Sequence, residues 1–458
     1  MGVEEALAIA MRAHQAADWE MAETLYQRIL AVAPAHPGAL QLLGMLCSQR
    51  GRSEEALRLL SEAVERDPGN SVVHNNLGNV LNSLGRHEEA MSAYQRALSL
   101  DDNNTDAYCN VGALLASQGR LQEAVKAYYE AIKCNPGHAD TFYHLGRALA
   151  RLGHDDGAVQ AYYRAITANV KHGPAYRALG EAFYRLDRRD EAVGAFAFAL
   201  YCLGQNERGM AALREWLRLD PDNPRARHTW QAWTGKEIPS RATDDYVRTE
   251  FDRYADEFDE HLRELEYHAP DLLVAAIAPE LGAATARLRV LDAGCGTGWC
   301  GPLLRPHARR LVGVDLSPRM LDKARLGGEY DELVEAELTQ FMLDHPEGFD
   351  LIVSADTLVY FGDLEPPLRA ASTALVAGGI LAFTVERLAN DKADYHLDPN
   401  GRYGHAESYL RRLLAMTGMA VMKMETVVLR LESGQPVTGC LVVARKALSL
   451  AGADESSC

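Results

Sequence analysis

The stretch Val290-Leu291-Asp292-Ala293-Gly294-Cys295-Gly296-Thr297-Gly298 decides the fold of the second half of the chain. An apolar run that ends in an acid is typical of a buried strand. Glycines at alternate positions let the backbone turn tightly and approach a ligand without an intervening Cβ. We expect a helix over Trp299 to Ala308 and a second buried strand over Leu311 to Asp315. The pattern therefore predicts a βαβ unit with a ligand at its glycine turn.

The glycines also permit a dinucleotide site, because Gly296, Gly298 and Gly301 match the spacing G-x-G-x-x-G. In such sites the acid that binds ribose lies about 20 residues beyond the glycines, a longer separation than that from Gly301 to Asp315. Asp292 would also bring a negative charge close to a pyrophosphate, whereas it suits an ammonium group. Charge at the turn therefore favours a cofactor that carries an amine.

Asp292 to Gly298 matches the motif acid-x-Gly-x-Gly-x-Gly, and from about Tyr246 to Ala447 the chain resembles the class I S-adenosylmethionine-dependent methyltransferases. The resemblance implies an α/β Rossmann-like domain with a mixed seven-stranded sheet and S-adenosylmethionine as cofactor. Its remaining strands would be Leu333 to Leu338, Phe349 to Asp356, Ile380 to Val385, and a hairpin of Ala420 to Leu431 with Cys440 to Ala444.

The same resemblance implies which residues bind the cofactor. Asp315 would bind the ribose hydroxyls, Met320 would lie against adenine and Glu337 would meet the adenine amino group. The full predicted set is Tyr246, Tyr254, Asp292, Gly294, Cys295, Gly296, Gly298, Asp315, Leu316, Met320, Glu337, Leu338 and Ala355.

An apolar stripe at helical spacing precedes the glycine motif and includes Phe251, Tyr254 and Phe258. The segment Phe251 to Asp259 resembles the lid helix of many small-molecule methyltransferases, where an aromatic ring closes over the cofactor. We therefore expect Tyr246 and Tyr254 to form a lid. An ordinary core helix would show the same spacing.

The first half of the chain repeats every 34 residues. The repeated positions are alanines 22, 56, 90, 124, 158 and 192 and glycines 44, 78, 112, 146 and 180. This period predicts an all-α superhelix of six tetratricopeptide repeats over about Val3 to Asn206, followed by two capping helices. We accordingly expect a repeat array at 1–233, a polar linker at 234–245, the methyltransferase domain at 246–447 and a flexible tail at 448–458.

Polar side chains recur where the repeats should face their inner groove, among them Asn76, Asn110 and His144. Amide side chains both donate to and accept from an extended peptide backbone. The series resembles the asparagine ladder of O-linked N-acetylglucosamine transferases, which implies a peptide or protein partner. A solvated polar face, or repeats used for homodimerisation, would account for the same residues.

Net charge, apolar runs and cysteine spacing limit the classes of partner and location that we expect. The net charge is −17 and no basic stripe is present, so we expect no nucleic-acid partner. No apolar run approaches the roughly 18 residues that a membrane helix needs, and the N-terminal residues do not resemble a signal peptide. The eight cysteines form no Cys-x-x-Cys pair, so we expect reduced thiols, a cytoplasmic location and no metal site.

Residues after the fourth and fifth strands should line the acceptor pocket. We predict Asp356, Tyr360 and His405 as catalytic residues and Arg402 and Tyr403 as substrate-binding residues, although a loop that caps a helix would equally explain His405. The fourth strand does not end in Asn-Pro-Pro-Tyr, so an adenine or glutamine amide acceptor is not expected.

The whole chain resembles predicted bacterial methyltransferases that carry tetratricopeptide repeats. This implies methyl transfer to a peptide or protein acceptor, at oxygen, with the repeats recruiting the acceptor. Two alternatives remain open. The acceptor could be a small metabolite, with the repeats used for dimerisation, or the chain could be an interaction scaffold with a vestigial cofactor pocket.

Overall fold

The chain divides into two compact units, Met1–Leu219 and Asp220–Cys458. The computed structural model describes residues 2–282, 284–390, 392–432 and 434–448. Within those ranges no helix combines the length and apolarity needed to cross a bilayer, and the seven cysteines they contain are unpaired. Of the expected flexible tail, residues 449–458 lie outside the described part of the chain.

The first unit is a series of antiparallel helix pairs, which confirms the predicted helical repeats. The first helices of the pairs are α1 (Val3–Gln15), α3 (Pro37–Gln49), α5 (Ser71–Ser83), α7 (Thr105–Ser117), α9 (Ala139–Arg151) and α11 (Gly173–Arg185). The second helices are α2 (Trp19–Val32), α4 (Ser53–Arg66), α6 (His87–Leu100), α8 (Leu121–Cys134), α10 (Asp155–Ala168) and α12 (Arg189–Leu203), and α13 (Glu207–Leu219) follows them.

In five of the six repeats the two helices approach each other at a glycine. A Cβ added to Gly78 would lie 2.5 Å from the Tyr94 ring, and one added to Gly112 would lie 2.6 Å from the Tyr128 ring. Because real Cβ atoms do not approach other atoms so closely, the tyrosine can pack only against a residue without a side chain. This contact explains why glycine keeps the 34-residue step.

The second unit is a mixed sheet with helices on its faces. Its strands are β1 (Leu288–Ala293), β2 (Ala308–Asp315), β3 (Glu332–Glu335), β4 (Phe349–Ser354), β5 (Leu375–Arg387), β6 (Tyr395–Leu397), β7 (Tyr403–His405), β8 (Met419–Glu432) and β9 (Gln435–Lys446). Its helices are α14 (Pro224–Thr234), α15 (Asp244–Tyr254), α16 (Phe258–Glu264), α17 (Ala269–Leu281), α18 (Gly301–Leu304), α19 (Pro318–Gly327), α20 (Leu338–Leu343), α21 (Glu365–Ala374) and α22 (Glu407–Met416).

Seven of these strands pair in the order β3-β2-β1-β4-β5-β9-β8, with β9 antiparallel to β5 and β8 antiparallel to β9. This confirms the predicted mixed sheet. A short antiparallel pair, β6 and β7, extends it, with β7 parallel to the end of β5. The carboxyl ends of β1, β2 and β4 meet at one edge, where parallel sheets place their ligands.

Two elements near that edge are shorter than the sequence predicts. The helix expected over Trp299 to Ala308 is a single turn, α18, followed by a 3-10 turn at Arg305–His307. Pro306 has no N–H and its ring would clash with an earlier carbonyl, so the α-helix cannot continue. The third strand ends at Glu335 instead of Leu338, which leaves Glu337 to cap α20.

The expected linker is an ordered part of the second unit. Helix α14, expected to cap the repeats, belongs to this unit and ends at Gly235, which has a left-handed backbone. Ser240 accepts hydrogen bonds from the backbone N–H groups of Gly362 and Asp363, and Ala242 donates to the carbonyl of Tyr360. The segment therefore holds the loop that follows β4.

Candidate active site

The glycine turn after β1 has the backbone conformation that its sequence requires. Gly294, Gly296 and Gly298 have φ values of 81°, 53° and 94°, which side chains disfavour. A Cβ on Gly294 would also lie 2.2 Å from Oγ1 of Thr357. The turn is held by the carbonyl of Val314, which accepts hydrogen bonds from the N–H groups of Gly294 and Cys295.

Asp292, at the end of β1, is fully buried beneath this turn. Its Oδ2 accepts a 2.6 Å hydrogen bond from the hydroxyl of Tyr330, while its Oδ1 has no hydrogen-bond partner among the described residues. Burial raises the pKa of Asp292 to about 7. A cation that donated to Oδ1 would satisfy this oxygen and favour the ionised carboxylate.

Asp315 lies at the end of the neighbouring strand, β2. Its two oxygens accept hydrogen bonds of 2.9 Å from the backbone N–H groups of Gly296 and Ser317. These bonds fix the carboxylate, and each oxygen keeps a lone pair for a further donor such as a hydroxyl. Burial raises the pKa of Asp315.

The segments after β2 and β3 meet beside Asp315. Ser317 caps α19 by accepting from the N–H of Met320, whose side chain is completely buried. Ala336 donates its N–H to the carbonyl of Asp315. Glu337 then caps α20 through Oε2, while its buried Oε1 has no hydrogen-bond partner among the described residues.

The remaining members of the predicted cofactor set flank these groups. Cys295 and Leu338 are buried, whereas Leu316 and Ala355 are half-buried. Each belongs to a segment that follows the carboxyl end of a strand at this edge of the sheet.

The predicted lid segment lies over the glycine turn, but Phe258 makes the contact. Its ring reaches to 4.0 Å from the position of a Cβ on Gly296, and the ring of Tyr254 packs edge-on against it. Asp259 accepts hydrogen bonds from Oγ1 of Thr297 at 2.6 Å and Nε1 of Trp299 at 2.9 Å. The sequence pattern includes Phe258 and Asp259 in the lid segment without marking them as site residues.

Tyr246, the other predicted lid residue, stacks on His228 of α14 with ring centroids 4.0 Å apart. His228 in turn hydrogen-bonds to the carbonyl of Gly401 at 2.8 Å. Tyr246 is therefore held against α14 and the loop before β7.

A buried group of charges lies beyond the carboxyl ends of β4 and β5. We call Asp356, Glu386, Arg402, Arg430 and Glu432 the ion cluster. Arg430, 1% exposed, donates to Asp356 Oδ2 at 2.7 Å, to Glu432 Oε1 at 2.7 Å and to Glu386 Oε1. Arg402 donates to Glu432 at 2.7 Å and to Glu386 at 3.3 Å.

Three carboxylates face two guanidinium groups in the ion cluster. Burial raises the pKa of Glu386 to about 8, and burial also raises the pKa of Asp356, with Arg402 opposing both shifts. Asp356 Oδ1 is buried and has no hydrogen-bond partner among the described residues. Glu386 is therefore largely protonated at neutral pH, and the ion cluster keeps one open acceptor atom.

Two hydrogen bonds tie the ion cluster to the glycine turn. Ser354 donates its hydroxyl to the carbonyl of Ala293 at 2.9 Å, and Thr357 donates to the carbonyl of Gly294 at 3.2 Å. Asp356 lies between these two residues in the sequence, in a left-handed conformation with φ of 54°. Its N–H donates to Thr384 on β5, which fixes it further.

Tyr360 connects the ion cluster to the lid. Its ring packs edge-on against Phe251 at 5.5 Å, and Phe251 packs edge-on against Phe258 at 5.9 Å. Burial raises the pKa of Tyr360, while the positive charge of Arg402 opposes the rise. The phenol is thus protonated at neutral pH.

Two predicted site residues have structural surroundings instead. His405 is fully buried, hydrogen-bonds through Nε2 to the carbonyl of Gly362, and stacks on Tyr409. Burial lowers its pKa to about 4, so the ring is neutral and a weak base at neutral pH. The hydroxyl of buried Tyr403 donates to the carbonyl of Pro239 at 2.9 Å. Both side chains fix the loop around β7.

Arg430 and Glu432 are absent from the predicted site. The β8 strand shifts register between Val428 and Arg430, so the consecutive residues Leu429 and Arg430 are both buried. Such a bulge re-aims a side chain, which simple alternation does not predict. The available signal was a charged residue inside an apolar strand.

In the first unit, the amides of the predicted groove pair with each other. Asn110 Nδ2 donates to Asn75 Oδ1 at 2.9 Å, whereas the buried Nδ2 of Asn76 has no hydrogen-bond partner among the described residues. His144 stacks on Tyr128 with centroids 6.0 Å apart, and burial lowers its pKa. This face thus presents neutral groups able to donate and accept hydrogen bonds.

Comparison with known families assigns both units. Residues 291–383 match the family described as methyltransferase domain. Residues 78–119 and 112–153 match a TPR repeat family, and residues 13–79 and 139–172 match families described as tetratricopeptide repeat.

Several curated proteins are similar to the second unit. Methyltransferase-like protein 27 of Homo sapiens is 35% identical over 138 residues, which cover 29% of this chain and 55% of that protein. A malonyl-[acyl-carrier protein] O-methyltransferase of Enterobacter lignolyticus is 32% identical over 138 residues, covering 30% of this chain and 52% of that protein. The chain thus spans about half the length of these relatives.

Among solved structures, an S-adenosylmethionine dependent methyltransferase from Mesorhizobium loti is 24% identical, covering 38% of this chain and 94% of that one, with a TM-score of 0.30. The family matches and curated relatives indicate S-adenosylmethionine as the methyl donor. The chain carries tetratricopeptide repeats followed in sequence by a methyltransferase domain of the S-adenosylmethionine-dependent kind.

Proposed function

We propose that this protein transfers a methyl group from S-adenosylmethionine to an oxygen of a peptide or protein, which its repeats recruit. The observation that carries the proposal is the unpartnered Oδ1 of fully buried Asp292, next to a glycine turn in which Gly294 leaves no room for a Cβ. A buried carboxylate oxygen without a partner is costly unless a ligand supplies one. The ammonium group of the cofactor is such a ligand.

The residues present fit this cofactor. Asp292 would accept from its amine and Asp315 from its ribose hydroxyls, while Met320 and Glu337 would meet the adenine ring. When bound, the cofactor supplies a methyl group on a positively charged sulfur. The thioether that leaves is neutral and needs no proton. The protein therefore contributes mainly by positioning, which can supply roughly 7–11 kcal/mol of the barrier.

The lid and the ion cluster would shape the acceptor side. Phe258 lies over the glycine turn and Phe251 joins it to Tyr360, so these rings would exclude water. Arg402 and Tyr360 would contact the acceptor beside Asp356. We leave His405 out of the catalytic set, because its lowered pKa and aromatic surroundings suit a structural role.

Recruitment by the repeats is supported by the asparagine side chains of α5 and α7. The buried amide nitrogen of Asn76 has no hydrogen-bond partner among the described residues, and the Asn75–Asn110 pair retains lone pairs for further bonds. An extended peptide backbone offers a matching set of carbonyl and N–H groups. His144 would add a flat surface beside them.

A small-molecule acceptor is the second candidate, and the lid segment over the glycine turn favours it. In that case the repeats would serve another purpose, such as dimerisation. Replacing Asn76 and Asn110 together by alanine distinguishes the two. Labelling of peptide acceptors should fall sharply in the double variant, whereas reaction with a small acceptor should not change.

Calorimetry with S-adenosylmethionine, followed by measurement of S-adenosylhomocysteine release in the presence of cell lysate, tests the proposal as a whole. We expect binding and lysate-dependent release. Binding without release would identify a scaffold with a vestigial pocket, and absence of binding would refute the cofactor assignment.

A further inference from the structure

We propose that the acceptor presents a group that carries a hydrogen, a hydroxyl or an amine rather than a carboxylate, and that Asp356 Oδ1 removes its proton. This inference rests on the proposed methyl transfer; it excludes carboxylate oxygens as acceptors and admits an amine nitrogen beside a hydroxyl oxygen. It starts from the one buried oxygen of the ion cluster that no described residue satisfies.

Oδ1 is the only side-chain oxygen of Asp356 that has no hydrogen-bond partner among the described residues. Its Oδ2 is held by Arg430 at 2.7 Å, and its backbone N–H is held by Thr384. Neither contact reaches Oδ1. The neighbouring residues Ser354 and Thr357 donate to the carbonyls of Ala293 and Gly294, so the segment that carries Asp356 is fixed beside the glycine turn.

The charge of the ion cluster selects against a carboxylate acceptor. Arg430 already donates through Nε, Nη1 and Nη2, once to each of the three carboxyl groups. Arg402 also donates to two of them. A further carboxylate would have to compete with these groups for the same two guanidinium groups and could not donate a hydrogen bond to Oδ1, whereas a hydroxyl or amine can.

The proton balance follows from this arrangement. The acceptor atom forms a bond to the methyl carbon as the bond between sulfur and that carbon breaks, and the sulfur retains the electron pair. The proton of the acceptor passes to Asp356 Oδ1. Arg430 acts as a positioning residue that holds the carboxylate by its other oxygen.

The test uses the full chain, cell lysate and S-adenosylmethionine tritiated in the methyl group. After transfer, the product is made alkaline. Methyl esters of carboxylates hydrolyse to volatile tritiated methanol, whereas methyl ethers and methylamines keep the label. We expect the label to remain non-volatile. Release as methanol would overturn this inference while leaving the methyl transfer intact, and absence of any transfer would refute both.

Asp356→Asn supplies the second readout, because asparagine tolerates the left-handed backbone at this position. We expect transfer to fall by about 10²–10⁴-fold, with S-adenosylmethionine affinity unchanged. The matched control is Asp187→Asn, an exposed aspartate with φ of 56°, which should transfer at the native rate. Native-rate transfer by Asp356→Asn would contradict the role of Asp356.

Discussion

Asp292 and Asp356 are two buried carboxylates of similar design, each with one oxygen held by a neighbour and one without a partner. The hydrogen-bond donors to the two carboxylates differ in charge. Tyr330 is a neutral donor, whereas Arg430 is a cation, so Asp292 depends more on its ligand to remain ionised. The proton affinity of Asp292 should therefore be visible in cofactor binding.

We predict that affinity for S-adenosylmethionine falls as pH drops below 7. The pKa of Asp292 is raised to about 7, so acidification protonates it and removes the charge that attracts the ammonium. The loss should approach about tenfold per pH unit below that pKa. Calorimetry between pH 5.5 and 7.5 measures it.

Asp292→Asn should lower affinity by about 10–100-fold at pH 7.5, the scale of one hydrogen bond to a charged group, and should abolish the pH dependence. Asp322→Asn, at an exposed residue paired with Arg325, is the control and should behave as the native protein. A pH dependence that persists in Asp292→Asn would assign it to another group.

Arg430→Met should destabilise the protein by about 3–5 kcal/mol, because it leaves the buried carboxylate of Asp356 without its cation. Chemical denaturation at pH 7.5 measures the loss. Arg412→Met removes an exposed pair with Asp394 and should cost less than about 1 kcal/mol. Equal losses in the two variants would show that Arg430 is not the centre of the ion cluster.

The sequence predicts the acids at strand ends well, because an acid after an apolar run is visible in one dimension. Asp292, Asp315 and Asp356 all occupy such positions. It does not predict the environment of Arg430, which depends on a bulge, or of His405, which depends on aromatic rings brought together from α22 and β6.

In the repeats, one contact between a glycine and the side chain that covers it determines how closely the two helices of a pair pack. The glycine of each first helix lies under an aromatic ring from its second helix in four repeats, at Gly78, Gly112, Gly146 and Gly180. In the second repeat Leu60 takes the place of the ring over Gly44. The 34-residue period of the glycines therefore marks the positions where the two helices of a repeat pack closely.

Gly112→Ala should destabilise the repeats by about 1–3 kcal/mol, since its Cβ would lie 2.6 Å from the Tyr128 ring. Thermal unfolding measures the change. Gly157→Ala is the matched control, because its Cβ would meet only Leu149 at an ordinary 3.5 Å. It should stabilise helix α10 by about 0.5–1 kcal/mol. A similar loss in both variants would argue against the glycine–tyrosine contact.

Elements with a strong period are predicted, and short ones are missed. The repeat helices and the main strands follow 3.6-residue or apolar patterns long enough to recognise. Strands β6 and β7 have three residues each, too few to show a pattern. The single turn of α18 reflects Pro306 in a stretch that otherwise resembles a helix.

At the scale of the whole molecule, the boundary of the units lies before α14 instead of after it. Composition favours a break at Gly235 and Pro239, since glycine and proline are typical of linkers. Tertiary contacts decide otherwise, because Ala232 packs with Leu397 and Tyr403 in the second unit. A boundary defined by long-range packing cannot be read from local composition.

Truncation tests this boundary. The fragment from Asp220 to the C-terminus should fold and bind S-adenosylmethionine, whereas one starting at Glu237 should be less stable by at least about 2 kcal/mol. The shorter fragment loses the stacked His228–Tyr246 pair and the buried contact of Ala232. Thermal unfolding of the two fragments gives the comparison, and equal stability would place α14 outside the second unit.

In four repeats the glycine and the aromatic ring that covers it come from the same 34-residue block, so each of these blocks carries this contact wherever it is copied. Duplication or loss of one block by recombination would preserve every such contact in the others. The number of blocks is thus open to evolutionary change without any alteration of the catalytic machinery. Lineages could adjust the length of the repeat array while inheriting the same methyltransferase domain.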